Sequence, residues 1–407
     1  MRLGVLATHP IQYHAPLFRA LAREVDLEVF FAHRQTAQGQ AAAGFGVAFE
    51  WDVPLTGGYR HTFLDNRART PSTDTFGGTN TPDIARVIRD GRFDAFVVNG
   101  WYTRSLWQAI TACWRTGTPV LARGDSQLVG PRSGLRRAVK AVAYRAFVPR
   151  FDGYLVVGER AREYLRHYGA REDRMEFAPH VVDSAFFRDR AAASDRDATR
   201  ASWGVAPGEA VLLFAGKLQD KKRPGDLLAA AAELSARGRA ARAVFVGSGP
   251  LESSLRAEAS RLGVAAHFAG FQNQTALPAL YAAADALVLP SDGGETWGLV
   301  VNEAMACGTP AVVSDAVGCG PDLVRDTEAG RTGAVFPLGQ VAALADAVER
   351  VLPSVGTPAL ALALRETVDV YSLDTAVAGT LRAAQRAAAV RTTRPHAQTA
   401  RLSTTAR

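Results

Sequence analysis

The sequence predicts an α/β protein with two doubly wound, parallel-sheet domains that face a central cleft. Three observations favour this fold class. Short apolar strands alternate with helical stretches, the alternation begins again in the second half, and a polar, alanine-rich segment, residues 187–209, lies between the halves. Strands that alternate with helices are typical of parallel sheets. A length of 407 residues suits two or three domains.

The first half provides the elements of one sheet. Apolar runs bounded by Gly, Pro or polar residues predict strands at residues 2–7, 26–32, 94–100, 119–124 and 153–158. Helical stretches separate them, for example residues 15–23 and the run SLWQAITACWRTG. We expect this N-terminal domain to cover residues 1–190.

The second half repeats the pattern. Strands are predicted at residues 210–216, 241–249, 285–290 and 311–314, with helices such as DLLAAAAELSARG between them. We expect a C-terminal domain over residues 191–370 and a C-terminal helix, residues 371–387, that returns to the N-terminal domain. Residues 388–407 carry four arginines without apolar periodicity, which predicts a disordered tail.

The net charge of +7 is unevenly distributed. Residues 1–190 carry 26 Lys and Arg against 19 Asp and Glu, whereas the remainder carries 21 of each. Residues 126–151 contain no acid and interleave basic with apolar residues, which predicts a basic amphipathic helix. Such a helix suits an anionic lipid surface or ligand, or else is a solvated face that packs its apolar side on the core. Its basic residues are Arg132, Arg136, Arg137, Lys140, Arg145 and Arg150.

Several classes of protein and site are not expected. No apolar run approaches the ~20 residues of a membrane span, and the first residues do not resemble a signal peptide. The three cysteines have no metal or redox spacing, which favours a reduced, cytoplasmic setting. Asp195 and Asp197 flank one arginine and are interpreted as part of a helix cap, so no metal is expected. No nucleic-acid motif accompanies the positive charge.

The stretch SDGGETWGLVVNEAMACGTPAVVSD, residues 291–315, places Glu295 and Glu303 eight residues apart. It predicts a loop over residues 291–296 and a helix over residues 297–307, after a strand. A helix N-terminus at the carboxyl end of a strand suits phosphate, and carboxylates suit sugar hydroxyls. Together they suggest a nucleotide-sugar. The alternatives are that Glu295 stabilises the helix dipole and that Glu303 is a surface residue.

A lysine cluster points to the same ligand. The chain has four lysines, and Lys217, Lys221 and Lys222 lie in one loop after a predicted strand. Ammonium groups at the carboxyl end of a strand would neutralise a diphosphate, and one charge pair at ~4 Å is worth ~4 kcal/mol at an effective dielectric of ~20. A solvated basic loop is the alternative.

These motifs resemble retaining glycosyltransferases of family 4, which have the GT-B fold of two Rossmann-like domains. The resemblance rests on GKLQDKKRPGDLL, VGSGPLESSL, the run from HFAGFQNQ to AVVSD, and PHVVD. THPIQYHAPLFRALA, FEWDVPLTGGYRHTFLDN, VVNGWYTRSLWQAI and RGDS resemble the N-terminal domain of one bacterial branch. The resemblance to the family covers roughly residues 1–385.

The resemblance implies roles for individual residues. Lys217, in place of the usual arginine after Gly216, and Lys222 would bind the donor diphosphate. Glu295 would hold the hydroxyls of the transferred sugar, and Glu303 the ribose. Lys217, Lys222 and Glu295 would form the catalytic group. Phe271 and Gln272 would lie near the base. The other implied donor-binding residues are Gly216, Gly294, Thr296, Trp297, Gly298, Leu299, Val300 and Glu303.

The N-terminal domain departs from the family at several positions. His9, Gln12, Tyr13 and His14 fill a loop that is glycine-rich in many relatives, and Trp101 lies near the position of a common histidine. These residues, with Arg123 and Asp125, are candidates for acceptor contacts, and for His9 and His14 the donor phosphate is the other candidate partner. A structural histidine, a core tryptophan and a structural Arg–Asp pair are the alternatives.

The resemblance implies an EC 2.4 hexosyltransferase that moves sugar from a nucleoside-diphosphate sugar to a carbohydrate or lipid-linked acceptor. The setting would be bacterial surface polysaccharide or glycolipid synthesis. We expect no metal or other cofactor, a cytoplasmic protein, and, as an open alternative, peripheral contact with an anionic membrane. A GT-B nucleotide-sugar epimerase and a non-catalytic sugar-nucleotide-binding protein are the other hypotheses.

Overall fold

The computed structural model describes residues 1–41, 44, 46–129 and 134–392, with the backbone alone for residues 134–139, 391 and 392. These residues form two α/β domains, each organised around one parallel sheet, and this confirms the predicted fold class. The interior strands are almost wholly buried, because helices cover both faces of each sheet.

The N-terminal sheet is assembled from strands of the first 177 residues. They are β1 (Arg2–Ala7), β2 (Asp26–Phe31), β3 (Arg60–Phe63), β4 (Ala95–Asn99), β5 (Val120–Gly124), β6 (Gly153–Val156) and β7 (Met175–Phe177). Their spatial order is β3-β2-β1-β4-β5-β6-β7, and neighbouring strands pair in parallel. The helices are α1 (His14–Glu24), α2 (Ala37–Gln40), α3 (Ile84–Gly91), α4 (Arg104–Thr116), α5 (Gly134–Phe147) and α6 (Glu159–His167).

The C-terminal sheet repeats this architecture. Its strands are β8 (Ala210–Ala215), β9 (Ala241–Val246), β10 (Ala266–Gly270), β11 (Ala286–Leu289), β12 (Ala311–Ser314) and β13 (Gly333–Phe336). Their order is β10-β9-β8-β11-β12-β13, again with parallel neighbours. The remaining helices are α7 (Ser184–Ala192), α8 (Arg196–Ser202), α9 (Gly225–Ala236), α10 (Glu252–Leu262), α11 (Leu277–Ala283), α12 (Leu299–Ala306), α13 (Gly320–Leu323), α14 (Val341–Val351), α15 (Pro358–Val370) and α16 (Leu373–Thr392).

The domain boundary lies earlier than residue 190. Helix α7, which spans that position, packs on α11 and α12 of the C-terminal domain, and Phe187 is buried in the C-terminal core. Residues 187–209, which separate the two predicted halves, are therefore largely helical and belong to the second domain. Within it, Asp195 caps α8 by accepting a hydrogen bond of 2.9 Å from the Ala198 N–H, as predicted.

Helix α16 leaves the C-terminal domain and packs on α1, β6 and β7 of the N-terminal domain. Its approach is close, because a Cβ on Gly379 would lie 1.9 Å from the Phe177 carbonyl oxygen. The helix continues to Thr392, so residues 388–392 are helical rather than part of a tail. The rest of the predicted tail, residues 393–407, lies outside the described residues.

The acid-free segment forms α5. Tyr144 and Phe147 pack on the N-terminal core, whereas Val142 on the same helix is 75% exposed. Arg132 and the side chains of Arg136 and Arg137 lie outside the described part of the chain. Among the described helices, none alone has the length and apolar composition to cross a membrane. Val341–Ser354 and Pro358–Val390 reach that length and composition only when taken together, and this pair is bent by 108°.

Candidate active site

The strand order of each sheet reverses beside its first strand, between β1 and β4 in one sheet and between β8 and β11 in the other. Ligands of open α/β sheets bind at such points, outside the carboxyl ends of the strands. Two cavities lie there. The larger, of about 540 Å³, is lined by residues that follow β1, β4, β5 and β11. The smaller, of about 280 Å³, is lined by residues that follow β8, β9 and β10.

The smaller cavity brings together residues that are far apart in the sequence. The candidates that line it are Gln12, Tyr13, Gly216, Lys217, Lys222, Phe271, Gln272, Val300 and Glu303. Tyr13, Lys222 and Val300 also line the larger cavity, so these three residues lie where the two cavities meet.

The lysine loop gives the smaller cavity its positive charge. Gly216 has φ 147°, which lets the chain turn sharply after β8. Burial lowers the pKa of Lys217, and the charges of Lys221 and Lys222 lower it further. The solvated basic loop that was the alternative does not describe this arrangement, because like charges are gathered on a partly buried wall. Such a wall favours a bound anion.

Glu303 lies in α12 and is fully buried, so it is not the surface residue that was the alternative. Its carboxylate accepts a hydrogen bond of 2.6 Å from the Tyr281 hydroxyl and one of 3.5 Å from the Gln274 amide. It also accepts one from the hydroxyl of Tyr13, which belongs to the N-terminal domain. Burial raises the pKa of Glu303 to about 7, although these hydrogen bonds oppose the shift.

Glu295 lies in the loop between β11 and α12 and lines the larger cavity. Its carboxylate forms an ion pair with the Lys222 ammonium and accepts a hydrogen bond of 3.3 Å from the Ser291 hydroxyl. Both side chains of the ion pair are largely buried. A residue predicted for the sugar and a residue predicted for the diphosphate are therefore in direct contact.

The loop after β11 is longer than predicted. Helix α12 begins at Leu299 rather than at residue 297, because Gly298 has φ 102° at its N-cap. A Cβ on Gly298 would lie 2.8 Å from the Leu289 side chain, so the chain turns in close contact with β11. The indole of Trp297 is buried and donates a hydrogen bond of 2.9 Å to Asn302. Thr296, Trp297, Gly298, Leu299 and Val300 all line the larger cavity.

The N-terminal wall of the larger cavity is formed by Tyr13, His14, Trp101, Arg123 and Asp125 among the candidates. Arg123 donates hydrogen bonds of 2.7 and 2.9 Å to the carbonyl oxygens of Ala178 and Pro179, and burial lowers its pKa to about 10. Asp125 instead accepts a hydrogen bond of 2.7 Å from Thr296. Arg123 therefore bonds to the backbone of its own domain and Asp125 joins the two domains, rather than the two forming an Arg–Asp pair. The acceptor role of both residues stays a prediction.

The remaining N-terminal candidates are mixed. Burial lowers the pKa of His14 to about 3, so its ring is neutral, and its Nδ1 has no hydrogen-bond partner among the described residues. Trp101 packs on Tyr144, Phe147 and Phe151 and also lines the larger cavity. Of the described candidates, His9 and Gly294 line neither cavity: His9 Nδ1 lies 3.1 Å from Thr8 Oγ1, and the Gly294 N–H donates to Asp292.

An N-terminal segment that was not predicted reaches the smaller cavity. Trp51 lines it beside Phe271, and Phe49 packs on Phe271 with ring centroids 4.1 Å apart. The Asn273 amide donates a hydrogen bond of 2.7 Å to the Glu50 carbonyl, and the Thr275 N–H donates one of 3.1 Å to Asp52. No sequence signal links residues 49–52 to Phe271, because more than 200 residues separate them.

Other contributors were also missed. Ser248, Gln274 and Tyr281 line the smaller cavity, and Lys140 and Tyr144 line the larger. Lys221, the third member of the predicted lysine cluster, also lines the smaller cavity. Across the described part of the chain, no group of three or more His, Cys, Asp and Glu side chains is arranged to hold a metal ion.

Comparison with known proteins gives a consistent assignment. The family model described as glycosyl transferases group 1 matches residues 195–358, and that of the glycosyl transferase 4-like domain matches residues 10–180. A D-inositol 3-phosphate glycosyltransferase of Nocardia farcinica is 34% identical over 273 residues, which are 62% of this chain and 56% of the relative. The chain spans about half the length of the curated relatives it matches.

Solved structures show the same fold at low identity. A glycosyltransferase from Rickettsia africae has a TM-score of 0.70 at 15% identity, with 95% of this chain and 98% of that chain covered. Anabaena HepE in complex with UDP has a TM-score of 0.68 at 15% identity, with 94% and 99% covered. With both domains matched and the two-sheet architecture in place, the chain belongs to the group 1 glycosyl transferases of the family 4 type, with the GT-B fold.

Proposed function

We propose that the chain is a retaining glycosyltransferase that moves a sugar from a nucleoside-diphosphate sugar to a hydroxyl acceptor. One observation carries the proposal. The smaller cavity collects an aromatic ring, a buried carboxylate and clustered ammonium groups, and it joins the larger cavity at Lys222, beside Glu295. The aromatic ring suits a nucleobase, the buried carboxylate a ribose, the ammonium groups a diphosphate, and the Glu295 carboxylate the transferred sugar.

The donor would lie across the junction of the two cavities. Phe271 and Gln272 face the base, Glu303 accepts hydrogen bonds from the ribose, and Lys217 with Lys222 binds the diphosphate. Glu295, in contact with Lys222, then receives the sugar hydroxyls. HepE, a structural neighbour, has been crystallised with UDP and with UDP-glucose, which supports a donor of this class.

The chemistry follows from the charges at the junction. As the glycosidic bond loosens, negative charge develops on the departing diphosphate, and the ammonium groups of Lys217 and Lys222 stabilise it. The diphosphate oxygen accepts the proton of the incoming hydroxyl on the same face of the sugar, so the configuration is retained. Contact between the domains excludes water from the reacting atoms.

The acceptor would enter the larger cavity, where the rings of Trp101 and Tyr144 offer apolar faces to a sugar. We infer a carbohydrate or lipid-linked acceptor of bacterial surface polysaccharide or glycolipid synthesis. Exposed Val142 and exposed Arg145 of α5 support contact with an anionic membrane. Sedimentation with phosphatidylglycerol vesicles, compared with phosphatidylcholine vesicles, tests this contact, and equal binding to both would contradict it.

The decisive experiment is a thermal-shift panel of UDP-, GDP- and ADP-glucose with the matching diphosphates, because a ligand that binds only the native state raises the melting temperature. One base should give a clear shift, which Lys217→Met and Lys222→Met abolish and Lys140→Met leaves unchanged. A panel without any shift would contradict the proposal.

We further propose that no metal takes part in the reaction, so sugar transfer should survive EDTA. A strict requirement for added Mg²⁺ or Mn²⁺ would refute that part.

A further inference from the structure

Three backbone carbonyl oxygens of the C-terminal domain converge on one side chain of the N-terminal domain. The amide nitrogen of Gln127 lies 3.0 Å from the Gly293 oxygen and 3.2 Å from each of the oxygens of Glu295 and Ala316. Gln127 follows β5, is only 2% exposed, and was not predicted. Its amide has two N–H groups, so at least one of them is shared between two oxygens.

The other end of this amide is fixed as well. The Gln127 oxygen accepts a hydrogen bond of 3.0 Å from the guanidinium of Arg160, at the start of α6. The same guanidinium donates a hydrogen bond of 3.2 Å to the Ala316 oxygen and another to the Asp315 oxygen. Because the oxygen of Gln127 accepts from Arg160, its nitrogen must face the three carbonyls, and the amide has one orientation.

The carbonyls belong to the segments that hold the Glu295 carboxylate. Gly293 and Glu295 are in the loop after β11, and Ala316 is in the turn that supports this loop. The backbone carbonyl oxygen of Glu295 accepts a further hydrogen bond of 2.9 Å from the Gly318 N–H, and a Cβ on Gly318 would lie 1.8 Å from the Thr296 carbonyl oxygen. The two segments are therefore packed backbone to backbone, with Gln127 bonded to both.

We propose that Gln127 is a positioning residue, which places the Glu295 carboxylate for the sugar only when the two domains are docked. The inference rests on the proposed function, since it assigns a role to the site of the transferred sugar. The three carbonyl oxygens bonded by Gln127 belong to the Glu295 loop and to the turn that supports it, so the role proposed for Gln127 lies at the sugar end of the site. Docking of the N-terminal domain thereby sets the geometry of the donor-sugar site.

The test is Gln127→Glu, which keeps the length of the side chain and the hydrogen bond from Arg160 but turns a carboxylate oxygen toward the three carbonyls. Gln127→Met removes the donor without adding charge and gives a second, independent variant. Gln108→Glu is the matched control. Gln108 is a hydrogen-bonded glutamine of the same domain whose partners, Thr81 and Asn80, lie away from the Glu295 loop.

The readout separates the sugar from the nucleotide. With UDP-glucose and UDP, or the GDP or ADP pair if the panel selects that base, both Gln127 variants should bind the nucleotide-sugar about ten-fold more weakly and the diphosphate almost as well as the parent protein. The turnover number should fall about ten-fold or more, with little change in the KM of the acceptor. Gln108→Glu should lower only the melting temperature.

Three results would overturn the inference, and they differ from one another. If the parent protein binds and transfers sugar while the Gln127 variants behave like Gln108→Glu, Gln127 is merely structural and the proposed function stands. If neither ligand of any pair binds the parent protein, the proposed function fails and the inference fails with it. Equal loss of diphosphate and nucleotide-sugar affinity in the variants would also refute a role confined to Glu295.

Discussion

The two cavities are lined by polar residues that are used in different ways. In the smaller cavity, like charges crowd the lysine loop, and Glu303 is buried with a raised pKa. Both conditions disfavour the ligand-free state and would be relieved by a bound anion and by hydroxyl donors. In the larger cavity, Arg123 bonds to backbone oxygens of its own domain. A charged residue beside a cavity is thus a stronger ligand candidate where like charges crowd it than where it bonds to the backbone of its own domain.

Substitution of Lys222 gives the strongest test of this difference between the two cavities. Lys222→Met should lower the turnover number about 10²- to 10³-fold, because it removes a donor aimed at the charge that develops on the leaving group. The melting temperature should change far less, although Glu295 loses its partner. Steady-state kinetics and a thermal melt on the same preparation measure both quantities.

Lys140→Met is the matched control for Lys222→Met. It also removes one ammonium group, but its nitrogen lies over the rings of Tyr144 and Tyr164 in the larger cavity. It should leave the affinity for the nucleoside diphosphate unchanged. If Lys222→Met retained turnover and lost only stability, the smaller cavity would be no different in kind from the larger one.

The opposite outcome is expected for Arg123. Arg123→Lys cannot reach both carbonyl oxygens with a planar fork, so we expect a loss of about 1–3 kcal/mol in the free energy of unfolding. Urea denaturation measures this loss, and the nucleotide-induced thermal shift should keep its size. A variant with full stability but a large rise in the KM of the acceptor would support the predicted acceptor role of Arg123 and weaken the comparison.

Whether a strand could be predicted from the sequence depends on its position in the sheet. Every interior strand of both sheets was predicted, whereas β3, β7, β10 and β13 were not, and these are the four edge strands. Interior strands of a parallel sheet are buried on both faces and appear as continuous apolar runs. The edge strand β3, RHTF, is mostly exposed, and β10 has only half-buried residues, so neither stands out from a loop in the sequence.

The same limit applies to the candidate site. The lysine cluster and the two glutamates could be predicted because unusual side chains follow strands in a short stretch of chain. Trp51 and Gln127 could not, because their role depends on how the two domains dock, and that geometry leaves no local pattern. Residues near 297 were misassigned as helix because the positive φ of Gly298 delays the helix start.

Trp51 allows the interdomain part of the comparison to be tested. Trp51→Ala should weaken nucleoside diphosphate binding about ten-fold, since stacking of a base on an aromatic ring is worth ~1–3 kcal/mol. Trp51→Phe should recover most of the affinity because it keeps a ring beside Phe271. Calorimetric titration with the diphosphate alone measures the effect. Unchanged affinity in Trp51→Ala would mean that the smaller cavity is a C-terminal site only.

The smallest expected change in ligand affinity is a pH dependence that originates at Glu303. Its pKa is about 7 in the native protein, against about 4.3 for an unperturbed glutamate. Between these values the native state binds more protons than the unfolded state, so stability without ligand falls as the pH rises from about 4.5 to 7. A ribose needs the ionised carboxylate as acceptor, so affinity for the diphosphate should rise through the same range, by a few-fold near pH 7.

Glu303→Gln separates these linked effects from other titrations. It keeps hydrogen-bonding groups beside Tyr281 but carries no proton equilibrium, so both the fall in stability and the rise in affinity should be lost. The diphosphate itself titrates near pH ~6 and contributes equally to both proteins, which makes the difference between them the relevant quantity. Thermal melts with and without diphosphate from pH 5.5 to 8 give both slopes, estimated over about 2–3 pH units. The stability and the affinity could instead change with pH in the same direction, or both pH dependences could persist in Glu303→Gln. Either result would show that the buried carboxylate is not the ribose acceptor and that the polar groups of the smaller cavity, like Arg123 in the larger one, mainly stabilise the fold.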